Sequence, residues 1–181
     1  MSTEAGEIRH DVTLAPLTRD HAPAMFRWVS DLGIRRDIGL HTEPTLQRTI
    51  EWIERALNDS AVIPHAICLS GKHVGNVILD RIDRRVRTAR LSIYIGEPDA
   101  RGAGVGARAV RLAAERGFQE LHKIWLIVHA ENIPAIRCYQ SIGFQLEGIL
   151  REEFLLGDRR VSALYMGLLR RDLTPCGGPG N

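Results

Sequence analysis

No apolar run in the 181 residues is long enough to cross a bilayer, and Met1 to His10 lack the apolar core of a secretory signal. A membrane-spanning protein and a conventionally secreted one are thereby disfavoured, and the cytoplasm is the expected compartment. Cysteine is scarce: Cys68, Cys138 and Cys176 are odd in number and far apart. That spacing suits reduced thiols better than a disulfide framework or a zinc site, and Cys138 reads first as a small buried hydrophobe. The histidines show no paired metal-ligand spacing, so no metal cofactor is expected. Charge of one sign is missing too. A formal net charge of +2 gives no footprint for nucleic acid.

What is present is ordinary for a folded chain: 44% apolar and 25% charged residues. The length fits one domain with a full core, expected over residues 1–173, followed by a Gly- and Pro-rich tail, 174–181, expected to be disordered. One charge cluster stands out. Arg81, Arg84, Arg85, Arg87 and Arg90 fall between two strand-like stretches and read as a solvated hairpin tip or as a surface for an anionic partner.

The periodicities define the elements. Val12 to Leu17 reads as a strand, and Asp20 is placed to cap a helix carrying Ala24, Met25, Trp28 and Val29, which Gly33 ends. A second helix follows Pro44 and Thr45, with Leu46, Ile50, Ile53 and Leu57 as its apolar stripe. Ala66–Leu69, Val74–Leu79 and Ala89–Ile95 predict three antiparallel strands in a meander. Ala107 to Leu121 has helical spacing, Lys123 to Val128 is a strand, and Pro134 opens a short helix that stops at Gly143. Strands near 144–150 and 161–169 flank a turn at Gly157 and Asp158. The alternation predicts a mixed α/β domain rather than a solenoid.

Arg101-Gly102-Ala103-Gly104-Val105-Gly106 lies between the strand ending at Ile95 and the helix from Ala107. Glycines there let several backbone N–H groups converge, and the helix adds the positive end of its dipole, so a phosphate or pyrophosphate is the natural occupant. A plain strand-to-helix turn is the alternative. Ala107 and Arg108 replace the Lys-Ser/Thr of a nucleoside-triphosphatase loop. A dinucleotide fingerprint fits by spacing, with Gly102, Gly104 and Ala107. It wants an acidic residue about twenty positions on, where His122 and Lys123 stand, and a longer sheet than the remaining chain allows.

The segment resembles the GCN5-related N-acetyltransferase superfamily. Arg101, Gly104 and Gly106 match its loop, and Val128 to Asn132, Pro134-Ala135-Ile136, Cys138-Tyr139 and Gly143-Phe144 follow in the family's order. The resemblance implies a central twisted, mostly antiparallel sheet of about six to seven strands flanked by about four helices. It implies acetyl-CoA as co-substrate, transferred directly to an amine without a covalent enzyme intermediate. Ile93, Tyr94 and Ile95 would offer backbone groups to the pantetheine arm. Amides from Gly102, Ala103, Gly104, Val105 and Gly106 to Ala107 would hold the pyrophosphate, with Arg101 shaping the loop or touching phosphate. Asn132 would fix the cofactor, although an Asn before Pro134 also suits a helix cap.

The chemistry needs a neutral amine and a protonated leaving thiolate. A lysine-like amine, with a reference pKa of about 10.4, is almost wholly charged at neutral pH, so a base or water must take its proton. Glu97 and His129, near the ends of the strands bordering the cleft, are the candidates. The resemblance places Tyr139 as the acid, and a phenol of pKa about 10 is protonated at neutral pH. The acceptor pocket is expected between the N-terminal helices, among Trp28, Asp31, Arg35, Arg36, Asp37 and His41. The stretch from Glu147 to Phe154 resembles the branch containing ribosomal-protein N-terminal, polyamine and nucleotide-linked amino-sugar acetyltransferases, and Ser162 stands where that branch often has aspartate. The arginine cluster favours a small amine on an anionic carrier, such as an amino sugar or its nucleotide. A ribosomal N-terminus, a polyamine and a non-catalytic acyl-CoA-binding module are the alternatives. Partners are thus acetyl-CoA and an amine, with no nucleic acid, no membrane and a possible homodimer through the final strands.

Overall fold

The structure, a computed structural model, describes residues 11–40 and 42–174. The expected tail from 175 onward, Cys176 and His41 lie outside the described residues.

Seven strands form one sheet in the order β1-β2-β3-β4-β5-β7-β6: β1 Val12–Pro16, β2 Ile63–Leu69, β3 Lys72–Asp83, β4 Thr88–Ile95, β5 Lys123–His129, β6 Gln145–Leu156 and β7 Arg159–Leu169. Every neighbouring pair is antiparallel except β4 and β5. The described α-helices are α1 Ala22–Val29, α2 Leu32–Asp37, α3 Leu46–Asn58, α4 Val105–Gly117 and α5 Ile133–Ile142. The mixed fold and the β2-β3-β4 meander are as expected from the sequence, with one helix more.

That extra helix is α2. Gly33 does not end α1. Asp31 interrupts the chain and caps a new turn, its Oδ1 accepting from the Ile34 amide at 3.0 Å. The expected cap at Asp20 also moves: Arg19–His21 is a 3₁₀ turn, with Thr18 and the His21 ring satisfying one another. In α3, Thr45 caps by accepting from the Arg48 amide at 3.1 Å, but the buried stripe is Thr49, Ile53 and Ala56. Leu46 and Leu57, expected on that stripe, are exposed because the neighbours α1 and β2 meet a face rotated away from them.

Side chains alternate across the pleated sheet, so each face receives its own core. Ile67, Val77, Leu79, Ala89 and Leu91 join α4 and α5 on one face. Ala66 and Tyr94 meet Leu17, Met25, Trp28 and Ile53 on the other, under α1 to α3. Helix α4 approaches closely because its inner face is small: Ala109, Ala113, Ala114 and Gly117 are buried. Gly96, just past β4, serves the second core. A β-carbon there would lie 1.9 Å from Trp28 Cδ2, so only glycine lets the indole seat.

Candidate active site

Strands β4 and β5 pair only at Thr88–Arg90 against Lys123–Trp125 and then part. Beyond that point β4 stays bonded to β3, and β5 to β7 as far as His129. The two facing edges, Leu91–Ile95 and Leu126–His129, are left without a strand partner for each other. A cleft of about 1750 Å³ opens between them. Unpaired backbone donors and acceptors along such an edge can bond an extended, amide-bearing ligand in the manner of an added strand. The volume exceeds the roughly 300–1,000 Å³ of an ordinary small-molecule pocket, which suits two substrates held together.

The glycine loop closes one end. Gly102 and Gly104 have φ of +74° and +79°, and Gly104 is the N-cap of α4. Lacking a side chain, it leaves the first amides of the helix uncapped, and they present the positive end of the dipole to the cleft. Gly102, Gly104, Gly106 and Ala107 line the cleft, whereas Val105 is buried in the core and Ala103 packs against it. Arg101 shapes the loop: its Nε donates to Ile95 O at 3.0 Å and its Nη2 to Gly96 O at 3.1 Å. Ile93, Tyr94 and Ile95 line the cleft along β4. Asn132 does cap α5, accepting from the Ala135 amide at 3.2 Å, and lines the cleft as well.

Tyr139 projects from α5 into the same cleft, its ring tilted against Phe144 at 5.7 Å between centroids. Among the described residues its hydroxyl has no hydrogen-bond partner. Burial pushes its phenol above the ordinary range, with the neighbouring Cys138 adding to the shift, so it is protonated at neutral pH.

Glu97 and His129, the two candidate bases, separate. Glu97 does not line the cleft. It accepts from Trp28 Nε1 at 3.2 Å and from Arg27, and Lys72 Nζ lies 3.7 Å away. Desolvation pulls its pKa upward, but the Trp28 and Arg27 hydrogen bonds and the Lys72 and Arg27 charges outweigh it and leave the carboxyl below its usual range. A carboxylate so held is a poor proton acceptor. His129 lines the cleft at the end of β5 and is 7% exposed, and among the described residues neither ring nitrogen is hydrogen-bonded.

The expected acceptor residues also divide. Trp28 is 4% exposed, sits in the second core and does not line the cleft. Arg35 does not line it either; it binds Glu43 Oε2 at 3.1 Å and Thr42 O at 3.3 Å. Asp31 and Asp37, at the two ends of α2, do line it. Three members of the arginine cluster already have partners, while Arg81 lines the cleft. Arg90 makes a bidentate pair with Asp80, at 2.8 and 2.6 Å, and Arg84 and Arg87 tie the hairpin tip to Ser60 and Glu120.

Sequence reasoning missed part of this wall. Between Leu150↔Ala163 and Phe154↔Val161, β6 carries Arg151, Glu152 and Glu153 against Ser162 alone. Glu152 adopts φ +56°, and its amide reaches Ser162 Oγ at 3.4 Å. This bulge brings Glu153 and Phe154 to the cleft, the Phe154 ring 6.0 Å from that of His129. No glycine marks the positive φ, so the sequence carried no signal for it.

Comparison with known proteins agrees with this geometry. The family model for the acetyltransferase (GNAT) domain matches residues 11–145. Spermidine N(1)-acetyltransferase of Escherichia coli K12 is 28% identical over 159 residues, 87% of this chain and 85% of that protein. The crystal structure of Vibrio cholerae spermidine N-acetyltransferase in complex with CoA and spermine superposes with a TM-score of 0.85 at 25% identity, covering 90% of this chain and 98% of that one. Mycobacterium smegmatis RimJ in complex with CoA-disulfide shares the fold, with a TM-score of 0.81 at 18% identity over 91% of this chain and 84% of that one. A cleft that parts β4 from β5 beneath a glycine loop, matched along the chain in sequence and in structure, places this protein in the GNAT family as an acetyl-CoA-dependent N-acetyltransferase.

Proposed function

We propose that the acceptor is a small polycationic amine of the polyamine class, acetylated by direct transfer from acetyl-CoA within one acetyltransferase domain. The observation that carries this reading is the set of carboxylates on the acceptor side of the cleft: Asp37 on α2, Glu51 on α3 and Glu153 on the β6 bulge. Carboxylates around an apolar cleft attract and orient an extended cation. The relatives named for spermidine support the same class.

In this reading the loop amides from Gly102 to Ala107 hold the pyrophosphate, the free edge of β4 at Ile93–Ile95 bonds the pantetheine arm, and Asn132 steadies the cofactor. Tyr139 gives its proton to the departing thiolate. The arginines that also line the cleft, among them Arg81 and Arg160, favour a second reading, an amino sugar carried on an anionic group. Strand β6 is a sheet edge exposing Leu146, Ile149 and Leu155, which supports self-association; the Vibrio cholerae relative is also known as a dodecamer.

Thiol release from acetyl-CoA, followed with spermidine, spermine, amino-sugar nucleotides and basic N-terminal peptides, tests the reading. Turnover restricted to the polyamines is expected. Turnover restricted to the amino-sugar nucleotides would replace the first reading with the second.

A further inference from the structure

We infer that Asp37 and His129 form the proton-accepting relay of the transfer, with Asp37 meeting the acceptor's ammonium group and His129 taking the proton behind it. The inference needs only an amine acceptor and does not depend on the polyamine reading.

Among the described residues neither His129 ring nitrogen has a hydrogen-bond partner, although both are buried. Native interiors leave few polar atoms in that state, and such an atom beside a substrate cleft suggests a working group. Asp37 Oδ1 lies 3.6 Å from His129 Nε2, too far for a hydrogen bond and well placed for an ion pair once the ring is charged. Both side chains line the cleft, but Asp37 is 46% exposed against 9% for His129, so Asp37 is the more accessible to the acceptor. The element linking them is α2, whose last residue is Asp37.

Asp37 is the carboxylate at ion-pair distance from the ring, and Glu131 also feels the ring's charge. On α2, Arg36 Nε is also 3.6 Å from Asp37 Oδ1, in an exposed pair that water screens. Beyond β5, Glu131 is held by both guanidinium nitrogens of Arg159 from β7. From β6 the ring meets Phe154, which is apolar.

The step balances without a further reagent. The ammonium gives one proton to Asp37, and closing the 3.6 Å gap to hydrogen-bond distance in the substrate complex lets it pass to His129 Nε2, requiring the tautomer with hydrogen on Nδ1. The neutral amine attacks the thioester carbonyl, the C–N bond forms and the C–S bond breaks. Tyr139 protonates the thiolate, and the second proton of the attacking nitrogen restores the phenol. His129 returns its proton to solvent with the product. The developing imidazolium is stabilised by Asp37, the role a carboxylate plays beside a histidine base.

The test is the pH profile of kcat for Asp37→Asn, His129→Gln and the double variant, at saturating acetyl-CoA with an acceptor the wild type turns over. Each single variant should lose about 10²-fold or more in kcat at neutral pH, the range of a general base. The loss should shrink as pH rises toward the amine's own pKa, KM for acetyl-CoA should hold, and the double variant should be no worse than either single one. Losses under about threefold with an unchanged profile, or single losses that multiply, would overturn the relay.

Discussion

Tyr139 is the residue whose chemistry and packing separate most cleanly. Its ring rests against Phe144, and its hydroxyl has no partner among the described residues, so Tyr139→Phe removes the proposed acid and keeps the contact. General acids contribute about 10²–10⁴-fold, and a loss in kcat of that size is expected in thiol release, with acetyl-CoA affinity and thermal stability unchanged. Gly96 tests packing alone. Gly96→Ala drives a methyl into the Trp28 indole, and overpacking of this kind costs about 1–3 kcal/mol, to be read from the denaturant midpoint. The residues that the sequence pointed to and the structure places elsewhere share a cause. Trp28, Arg35 and Glu97 are polar or amphipathic groups near a cleft in sequence, and their partners are up to seventy positions away in the chain. Their hydrogen bonds to one another, to Glu43 and to Thr42 were invisible to spacing.

At the scale of elements, caps and turns carry the architecture. Thr45→Ala removes the hydroxyl that accepts from Arg48 and should cost about 1 kcal/mol of stability without touching the cofactor loop. Gly106→Ala is the converse. A β-carbon there meets nothing nearer than Ile95 Cγ1 at 3.9 Å, so the fold should hold to within about 0.5 kcal/mol while the cofactor proposed at the loop loses room. Much of this level was legible: the aliphatic runs of β3 and β4, the helical spacing of α4, and glycines between a strand and a helix each follow from local chemistry. Helix α2 was not, because it buries only Ile34 and contains Gly33 at its second position, leaving no periodic stripe to read. Nor was the β6 bulge, where Glu152 takes a left-handed backbone that tertiary pairing with β7 imposes. The apolar face of α3 was read one position off because Thr49 and Ala56, neither strongly hydrophobic, are the residues that neighbours cover.

For the whole molecule, stability should depend on pH through two histidines. Burial, with the charge of Arg116 adding to it, lowers the pKa of His65. Burial also lowers that of His73, against an opposing hydrogen bond in which Asn76 Oδ1 accepts from the ring. Both rings are neutral in the fold and accept protons more readily when the chain opens. The unfolded chain therefore binds more protons below about pH 6.5, and stability present above that value is lost as pH falls. Denaturant midpoints between about pH 8 and 5 should decline on the acid side, and His73→Asn should flatten part of the decline. Two cores on opposite faces of one sheet set the cleft between them. The opening depends on β4 and β5 parting after three paired positions, a feature no local pattern announces.

The most direct measurement is a calorimetric titration of acetyl-CoA into the wild type and Gly106→Ala. Saturable one-to-one binding is expected in the wild type, weakened about tenfold in the variant, the equivalent of one charge-assisted hydrogen bond. No binding to the wild type would contradict the account of the cleft, and equal affinity in both proteins would move the cofactor away from the glycine loop.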